Sequence, residues 1–259
     1  MFKGILLGCA AVLGSAVFAG EVIVIASDST AVDYRGRKNP IAKTDSWSPM
    51  AGWGEYTARD VRKGVALFNR SAGGYSSKTY CETFLPKTKK VFKKGGWLLL
   101  SFGSNDSRPH PKFDRATKPD STFPQYMDQI ASAAKEAGMN VVVLSPLPFY
   151  VFSKGKFAPK TLAPYAAACE KLAKEKGYYY IDLYKLVCDK FEGKSADEIK
   201  SYYMFLKPGD SPNWPKGRSD TLHVNDKGAK MVWGLIRSEI DKNIPELAKL
   251  LKSPEGAKE

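Results

Sequence analysis

Short, continuous runs of apolar residues recur along the chain, and longer stretches with helical spacing separate them. Runs that are uninterrupted rather than alternating are typical of strands covered by helices on both faces of a sheet. Strand alternating with helix implies right-handed crossovers, so the pattern predicts an α/β fold with a mainly parallel five-stranded sheet. The five predicted strands are Val22–Ile25, Val65–Phe68, Trp97–Phe102, Asn140–Leu144 and Tyr178–Ile181.

Between these runs, apolar residues recur three or four positions apart, as they do in amphipathic helices. Predicted helices cover the region around Tyr56–Val61, about Pro124–Ala137 and about Leu162–Lys176, and a last helix begins near Asp226. Pro-rich stretches on either side of these elements are predicted as long loops within one domain.

The first nineteen residues contain one lysine, no acidic residue, an apolar run and a Val-x-Ala ending. This composition predicts a secretory signal peptide cleaved near Ala19 rather than a membrane span, because the apolar run is too short. We therefore expect a secreted or periplasmic protein that does not bind a membrane. Residues 20–252 are predicted to form a single domain, and residues 253–259 a flexible tail.

Positive charge dominates the chain. It contains 40 Lys and Arg residues against 27 Asp and Glu residues, a net charge of +13. Loss of Lys3 with the signal peptide would leave a charge of +12. Such an excess suggests an anionic partner such as an acidic polysaccharide, and a lysine surface that is merely solvated is the alternative. Export and the lack of a nucleic-acid-binding signature argue against a nucleic acid partner.

Cys9 would leave with the signal peptide, so Cys81, Cys169 and Cys188 would remain in the mature chain. Three cysteines without a CxxC pair predict neither a disulfide framework nor a zinc or redox site. A single bridge, such as Cys169–Cys188, and buried free thiols are both compatible with the sequence.

Polar residues suited to ester chemistry follow the predicted strands at their carboxyl ends. Ser29 follows the first strand, Gly74 lies in the loop after the second, and Asn105 follows the third. Asp220 and His223, one of only two histidines, lie in a predicted turn just before the last helix. Since parallel sheets place their sites at the carboxyl ends of the strands, we expect these five residues to meet.

These residue types satisfy the requirements of acyl transfer. A serine hydroxyl becomes a nucleophile when a neutral imidazole accepts its proton, and a carboxylate holds that imidazole in one tautomer. The developing oxyanion needs donors, which a glycine N–H and an asparagine amide can supply. The pattern therefore predicts Ser29 as nucleophile, His223 as general base and Asp220 as its orienting carboxylate. A metal centre on Asp28, Asp220 and His223 is disfavoured, because it would have one histidine and no thiolate pair.

The order of these blocks resembles the SGNH or GDSL-type hydrolases, and most closely the rhamnogalacturonan acetylesterases. The resemblance runs from about Val22 to Lys242. It includes the sequence GWGEY at Gly52–Tyr56 and the sequence SDTLHVNDKGA at Ser219–Ala229. It implies a flavodoxin-like three-layer sandwich, which agrees with the predicted strands.

By this resemblance, the oxyanion hole consists of the N–H groups of Ser29 and Gly74 and the side chain of Asn105. The resemblance also implies a secreted serine esterase that removes O-acetyl groups from plant cell-wall polysaccharide, with rhamnogalacturonan the closest match. We expect a monomer that needs no cofactor. An esterase of acetyl xylan or small esters is one alternative, and a non-catalytic pectin-binding module is another.

Three positions depart from the family pattern. Ser27 replaces the glycine of the family's Gly-Asp-Ser, Tyr75 stands where arginine is frequent, and Ser104 stands where histidine is frequent. The last two border the expected pocket, so Tyr75 is predicted to contact substrate. In the basic loop RPHPKFDR, Arg108 and His110 are predicted substrate contacts too, with a solvated loop as the alternative.

Overall fold

The computed structural model describes residues 21–35 and 49–253, so the predicted signal peptide and residues 254–259 of the predicted tail lie outside the described residues. The strands are β1 Val22–Ser27, β2 Met50–Ala51, β3 Ala66–Asn69, β4 Trp97–Ser101, β5 Asn140–Leu144, β6 Phe152–Ser153, β7 Lys156–Phe157, β8 Tyr179–Ile181, β9 Tyr203–Leu206 and β10 Arg218–Asn225. The α-helices are α1 Trp53–Asp60, α2 Ser77–Thr83, α3 Leu85–Thr88, α4 Thr122–Glu136, α5 Ala163–Lys176, α6 Leu183–Phe191, α7 Ala196–Lys200, α8 Asp226–Asn243 and α9 Pro245–Ala248.

The central sheet has the strand order β3-β1-β4-β5-β8. Every neighbouring pair in it is parallel, which confirms the predicted five-stranded parallel sheet. Because β1 lies inside the sheet, between β3 and β4, the loops that follow these three strands meet at one edge. That edge is where the sequence predicted the functional residues.

Helices cover both faces of this sheet and produce the predicted three-layer sandwich. Along β1, Ile23 and Ile25 pack into the apolar layer that includes side chains of α1, α6 and α8. Val22, Val24 and Ala26 point to the opposite layer, which includes side chains of α2, α4 and α5. All five side chains are buried, which explains why the strand is apolar at consecutive positions.

A second, antiparallel sheet of order β2-β10-β9 was not predicted. It corrects the sequence prediction for Asp220 and His223, which lie on β10 rather than in a turn. The pairing of β10 with β9 shifts register between Asp220 and Val224. This irregularity interrupts the alternation of apolar and polar residues that would have indicated a strand. Helix α8 follows at once, and its N-terminus is capped by the Asn225 side chain, which accepts a hydrogen bond from the Gly228 N–H.

The cysteines of the described residues are free thiols rather than a bridged pair. Cys81 and Cys169 are buried in the apolar layer around α2, α4 and α5, and Cys188 on α6 is half-buried. Of the two cases that the sequence left open, the structure therefore has free thiols. Among residues 21–35 and 49–253, no helix is long and apolar enough to cross a membrane.

Candidate active site

Ser29 begins a 3₁₀ turn, Ser29–Ala31, directly after β1. The turn is held by Asp28, whose carboxylate accepts hydrogen bonds from the Thr30 N–H at 2.9 Å and the Thr30 hydroxyl at 2.7 Å. Burial raises the pKa of Asp28, and the hydrogen bonds from Thr30 oppose that rise. The hydroxyl of Tyr34 donates to the Ser29 carbonyl at 3.0 Å. Asp28 and Tyr34 therefore fix the backbone on either side of the Ser29 hydroxyl.

Helix α1 begins against this 3₁₀ turn, and its glycines permit the close approach. A Cβ atom on Gly52 would lie 2.3 Å from the Val32 carbonyl oxygen, and one on Gly54 would lie 2.3 Å from the Ala31 carbonyl oxygen. The buried Glu55 carboxylate accepts a hydrogen bond from the Gly52 N–H. The sequence GWGEY thus packs the start of α1 onto the backbone that carries Ser29.

Strand β10 brings His223 to Ser29. The Nε2 atom of His223 lies 2.8 Å from the Ser29 Oγ atom, and its Nδ1 atom lies 2.7 Å from the Oδ2 atom of Asp220. The other carboxylate oxygen of Asp220 accepts the N–H groups of Leu222 and His223 at 2.9 and 3.0 Å. Hydroxyl, imidazole and carboxylate therefore form one hydrogen-bonded line, in which a proton can pass from serine to histidine.

Arg218 also contacts this line, and the sequence interpretation missed it. Its Nε atom donates to the Oδ2 atom of Asp220 at 3.0 Å. Partial burial raises the pKa of Asp220, but the hydrogen bonds from His223 and Arg218 outweigh it and hold the pKa well below its usual range. Residues two apart on a strand share a face, so recognising β10 as a strand would have placed Arg218 beside Asp220.

Three hydrogen-bond donors face the cleft beside the Ser29 hydroxyl: the backbone N–H groups of Ser29 and Gly74 and the side-chain amide of Asn105. Gly74 has a φ of +82°, a conformation that favours glycine. Asn105 is buried, and its side-chain amide donates one hydrogen bond, at 2.9 Å, to the Tyr75 carbonyl, which leaves a second amide hydrogen. Within the described ranges, the N–H groups of Ser29 and Gly74 donate to no protein acceptor. Together with the Asn105 amide, they are available to an oxygen atom bound in the cleft.

Asp106 ties together the segments that carry these donors. Its buried carboxylate accepts hydrogen bonds from the Ser77 N–H at 3.1 Å, the Ser77 hydroxyl at 2.5 Å and the Thr117 hydroxyl at 2.9 Å. Burial raises the pKa of Asp106 to about 6, against the opposing effect of these hydrogen bonds. Because Ser77 begins α2 and Asp106 adjoins Asn105, the carboxylate fixes the Gly74 loop relative to Asn105.

The Ser29 hydroxyl opens into a cleft of about 560 Å³. Three arginines, Arg108, Arg115 and Arg218, line it together with Tyr34 and Trp214. In the part of the chain that the structure describes, no aspartate or glutamate lines this cleft. A cleft with several guanidinium groups and two aromatic rings suits a ligand that combines carboxylate groups with sugar rings.

The residues predicted to contact substrate occupy different places. Arg108 lines the cleft, whereas Tyr75 and His110 are not among its lining residues. The Tyr75 ring packs against Phe84, with ring centres 5.7 Å apart. His110 packs against Phe113 at 4.7 Å, in the basic loop beyond the cleft. Of these three, Arg108 is placed to contact a ligand beside Ser29.

The described residues offer little for a metal. No three His, Cys, Asp or Glu side chains among them are grouped as metal ligands. Asp28 is bonded to Thr30, and Asp220 is bonded to His223 and Arg218. The carboxylates near Ser29 therefore serve as hydrogen-bond acceptors within the protein.

Comparisons with known proteins identify the family of the chain. The chain matches the model of the GDSL-like lipase/acylhydrolase family over residues 28–231. It is 31% identical over 235 residues to the rhamnogalacturonan acetylesterase RhgT of Bacillus subtilis (strain 168), an alignment that covers 90% of this chain and 95% of that protein.

Solved structures show the same fold. A Bacillus subtilis protein is similar with a TM-score of 0.68 and 25% identity, over 86% of this chain and 56% of that chain. The acetylxylan esterase Axe2 of Geobacillus stearothermophilus is similar with a TM-score of 0.59, over 85% of this chain and 94% of that chain. At 14% identity, the second likeness concerns the fold alone.

Proposed function

Because the chain belongs to the GDSL-like lipase/acylhydrolase family and is a carboxylic ester hydrolase, we propose that it removes O-acetyl groups from rhamnogalacturonan, a plant cell-wall pectin. The observation that carries the proposal is the hydrogen-bonded line from Ser29 through His223 to Asp220 at the floor of an arginine-lined cleft. A non-catalytic pectin-binding module would have no need of this arrangement.

In the proposed reaction, His223 takes the proton of the Ser29 hydroxyl while the oxygen attacks the acetyl carbonyl. Asp220 holds the imidazole and stabilises the imidazolium that forms. The N–H groups of Ser29 and Gly74 and the amide of Asn105 stabilise the tetrahedral oxyanion. The bond between the acetyl carbon and the sugar oxygen then breaks, the imidazolium protonates that oxygen, and the sugar leaves as an alcohol. An acetyl-serine remains. Water activated by His223 hydrolyses that ester and releases acetate, without a cofactor.

The choice of substrate has two supports. The relative RhgT, which aligns with 90% of this chain, is named a rhamnogalacturonan acetylesterase. The cleft also carries Arg108, Arg115 and Arg218, which match the carboxylates of a polyuronide. Xylan has a neutral main chain and offers these guanidinium groups no carboxylate, so it is the weaker candidate. We further propose that residues 1–19 direct export and that residues 20–252 form the hydrolase domain.

Acetate release from a panel of acetylated polysaccharides tests this proposal. Rhamnogalacturonan, acetyl xylan and a chromogenic acetate ester are incubated with the wild-type protein and with Ser29→Ala. We expect rhamnogalacturonan to give the highest kcat/KM and Ser29→Ala to lose about 10⁴-fold in kcat. A higher kcat/KM on acetyl xylan than on rhamnogalacturonan would contradict the proposal that rhamnogalacturonan is the substrate. Ester hydrolysis that survives in Ser29→Ala would contradict the nucleophile, and binding of pectin without any acetate release would indicate the non-catalytic module.

A further inference from the structure

One carboxylate oxygen of Asp220 serves two competing partners. Its Oδ2 atom accepts a hydrogen bond from the His223 Nδ1 atom at 2.7 Å and from the Arg218 Nε atom at 3.0 Å, and the Arg218 Nη2 atom contacts the same oxygen. The Oδ1 atom is already occupied by the N–H groups of Leu222 and His223. The imidazole and the guanidinium therefore share one acceptor.

Arg218 is also part of the cleft. Its side chain is 22% exposed, and its guanidinium lies over the Trp214 ring, 5.0 Å from the ring centre. The other two cleft arginines are engaged elsewhere. Arg115 donates to the Gly74 carbonyl, and Arg108 lies over an aromatic ring of the loop after β5. Among these arginines, Arg218 alone is hydrogen-bonded to Asp220 in the described residues.

On the basis of the proposed function, we propose that Arg218 is a positioning residue that couples recognition of a substrate carboxylate to the pairing of Asp220 with His223. Without substrate, the guanidinium is paired with Asp220. A uronate carboxylate that enters the cleft pairs with the guanidinium. The guanidinium then turns away from Asp220 while it stays over the Trp214 ring, and the Oδ2 atom is left to His223. The exchange replaces one charge-assisted pair with another of the same kind, so the two arrangements are close in free energy.

The exchange favours the chemical step. During attack, His223 becomes an imidazolium, and a guanidinium on the same carboxylate oxygen opposes it by repulsion and by using a lone pair. The other groups around His223 do not change in the exchange. Asp28 keeps its hydrogen bonds within its own turn, and burial raises the pKa of Tyr34 so that it stays neutral. Arg108 and Arg115 keep their own contacts, with an aromatic ring and with the Gly74 carbonyl. The change at His223 therefore comes from Arg218.

A pair of matched substrates tests the coupling in the full-length protein. One is an acetylated uronic acid glycoside, and the other is its uncharged carboxamide. We expect wild type to prefer the acid in kcat/KM by about tenfold or more, and Arg218→Gln to lose most of that preference. Loss of the guanidinium also removes a positive charge that shares Asp220 with the imidazole. The acidic limb of the pH profile of kcat/KM on the carboxamide should therefore move to higher pH in Arg218→Gln.

Arg108→Gln is the matched control, because Arg108 lines the same cleft without a hydrogen bond to Asp220. It should weaken binding of the acid and leave the acidic limb at the wild-type pH. Arg218→Lys keeps the charge and should retain part of the preference for the acid and part of the wild-type position of the acidic limb. Such a partial recovery would show that the changes in Arg218→Gln do not come from a folding defect. Equal losses on both substrates, or a lost preference with an unmoved limb, would overturn the coupling. Wild type that releases acetate from neither substrate would instead contradict the proposed function.

Discussion

The two histidines of the chain differ in their surroundings, and this difference supplies a matched pair of variants. His223 contacts Ser29 and Asp220, whereas His110 packs on an exposed Phe113. His223→Ala should lower kcat by about 10⁴-fold, because the imidazole is the group that is hydrogen-bonded to the Ser29 hydroxyl and placed to accept its proton. His110→Gln should stay close to wild type in kcat. Steady-state kinetics on a chromogenic acetate would contradict the assignment if the two variants behaved alike.

Asn105 offers a test of the oxyanion hole. Its amide is needed when negative charge develops on the acetyl oxygen, so Asn105→Ala should lower kcat by about 10²–10³-fold. KM should change little, because the donor acts mainly in the transition state. If KM rises while kcat is retained, Asn105 is a substrate contact instead. Since the same amide also bonds to the Tyr75 carbonyl, thermal unfolding of the variant checks that the loop is intact.

Substitution of two buried serines near the site should have opposite effects on stability. The Ser27 hydroxyl is buried and has no hydrogen-bond partner among the described residues, whereas the Ser77 hydroxyl donates to Asp106. Ser27→Ala should raise the free energy of unfolding by about 1 kcal/mol, and Ser77→Ala should lower it by about 1.5–3 kcal/mol. Urea unfolding measures both variants. A destabilised Ser27→Ala would show that its hydroxyl has a partner after all.

The sequence identified residues whose chemistry is scarce or whose position follows a strand, such as Ser29 and His223. It did not identify Arg218 or Tyr34, because arginine and tyrosine are frequent and neither belongs to a motif. Arg218 reaches Asp220 because both residues lie on β10. Tyr34 reaches the active site because its loop folds back onto the Ser29 carbonyl. For Arg218 the missing information was that β10 is a strand, and for Tyr34 it was a tertiary contact that residue spacing does not encode.

At the level of elements, the packing of α1 on the 3₁₀ turn gives a pair of glycine substitutions. A Cβ atom on Gly54 would lie 2.3 Å from the Ala31 carbonyl oxygen and 2.4 Å from the Asn69 Nδ2 atom, whereas one on Gly234 in α8 would meet nothing within 4 Å. Gly54→Ala should lower the free energy of unfolding by about 1–3 kcal/mol and also lower kcat, because the turn carries Ser29. Gly234→Ala should raise stability by about 1 kcal/mol.

Chemical denaturation and steady-state kinetics on the two glycine variants provide the measurement. If Gly54→Ala keeps wild-type stability and kcat, α1 can move away from the 3₁₀ turn without displacing Ser29. Gly234→Ala controls for the general effect of adding a methyl group to a helix.

The elements differed in how far the sequence predicted them. Strands β1, β4 and β5 were predictable because burial on both faces requires apolar residues in a continuous run, and Asn140–Leu144 was predicted to the residue. Strand β10 was not, because it alternates only in part and shifts register between Asp220 and Val224. Strand β2 has two residues, too few to show any period.

Over the whole molecule, the excess of positive charge agrees in sign with the cleft. The chain has a net charge of +13, and three arginines line the space beside Ser29. A field of this kind concentrates an anionic polymer near the protein and raises its rate of association. A neutral small ester would be unaffected by the same field. The charge therefore predicts a difference between substrates rather than a general effect on activity.

The dependence of kcat/KM on ionic strength should differ between the anionic polymer and the neutral ester. The screening length falls from about 10 Å in 0.1 M salt to about 3 Å in 1 M salt, so added NaCl removes attraction across the surface. We expect kcat/KM on acetylated rhamnogalacturonan to fall roughly tenfold over this range, and kcat/KM on a neutral chromogenic acetate to change less than about twofold. The neutral ester controls for effects of salt on folding and on the chemical step. Equal responses of the two substrates would show that the surface charge contributes to solubility and not to capture of the polymer.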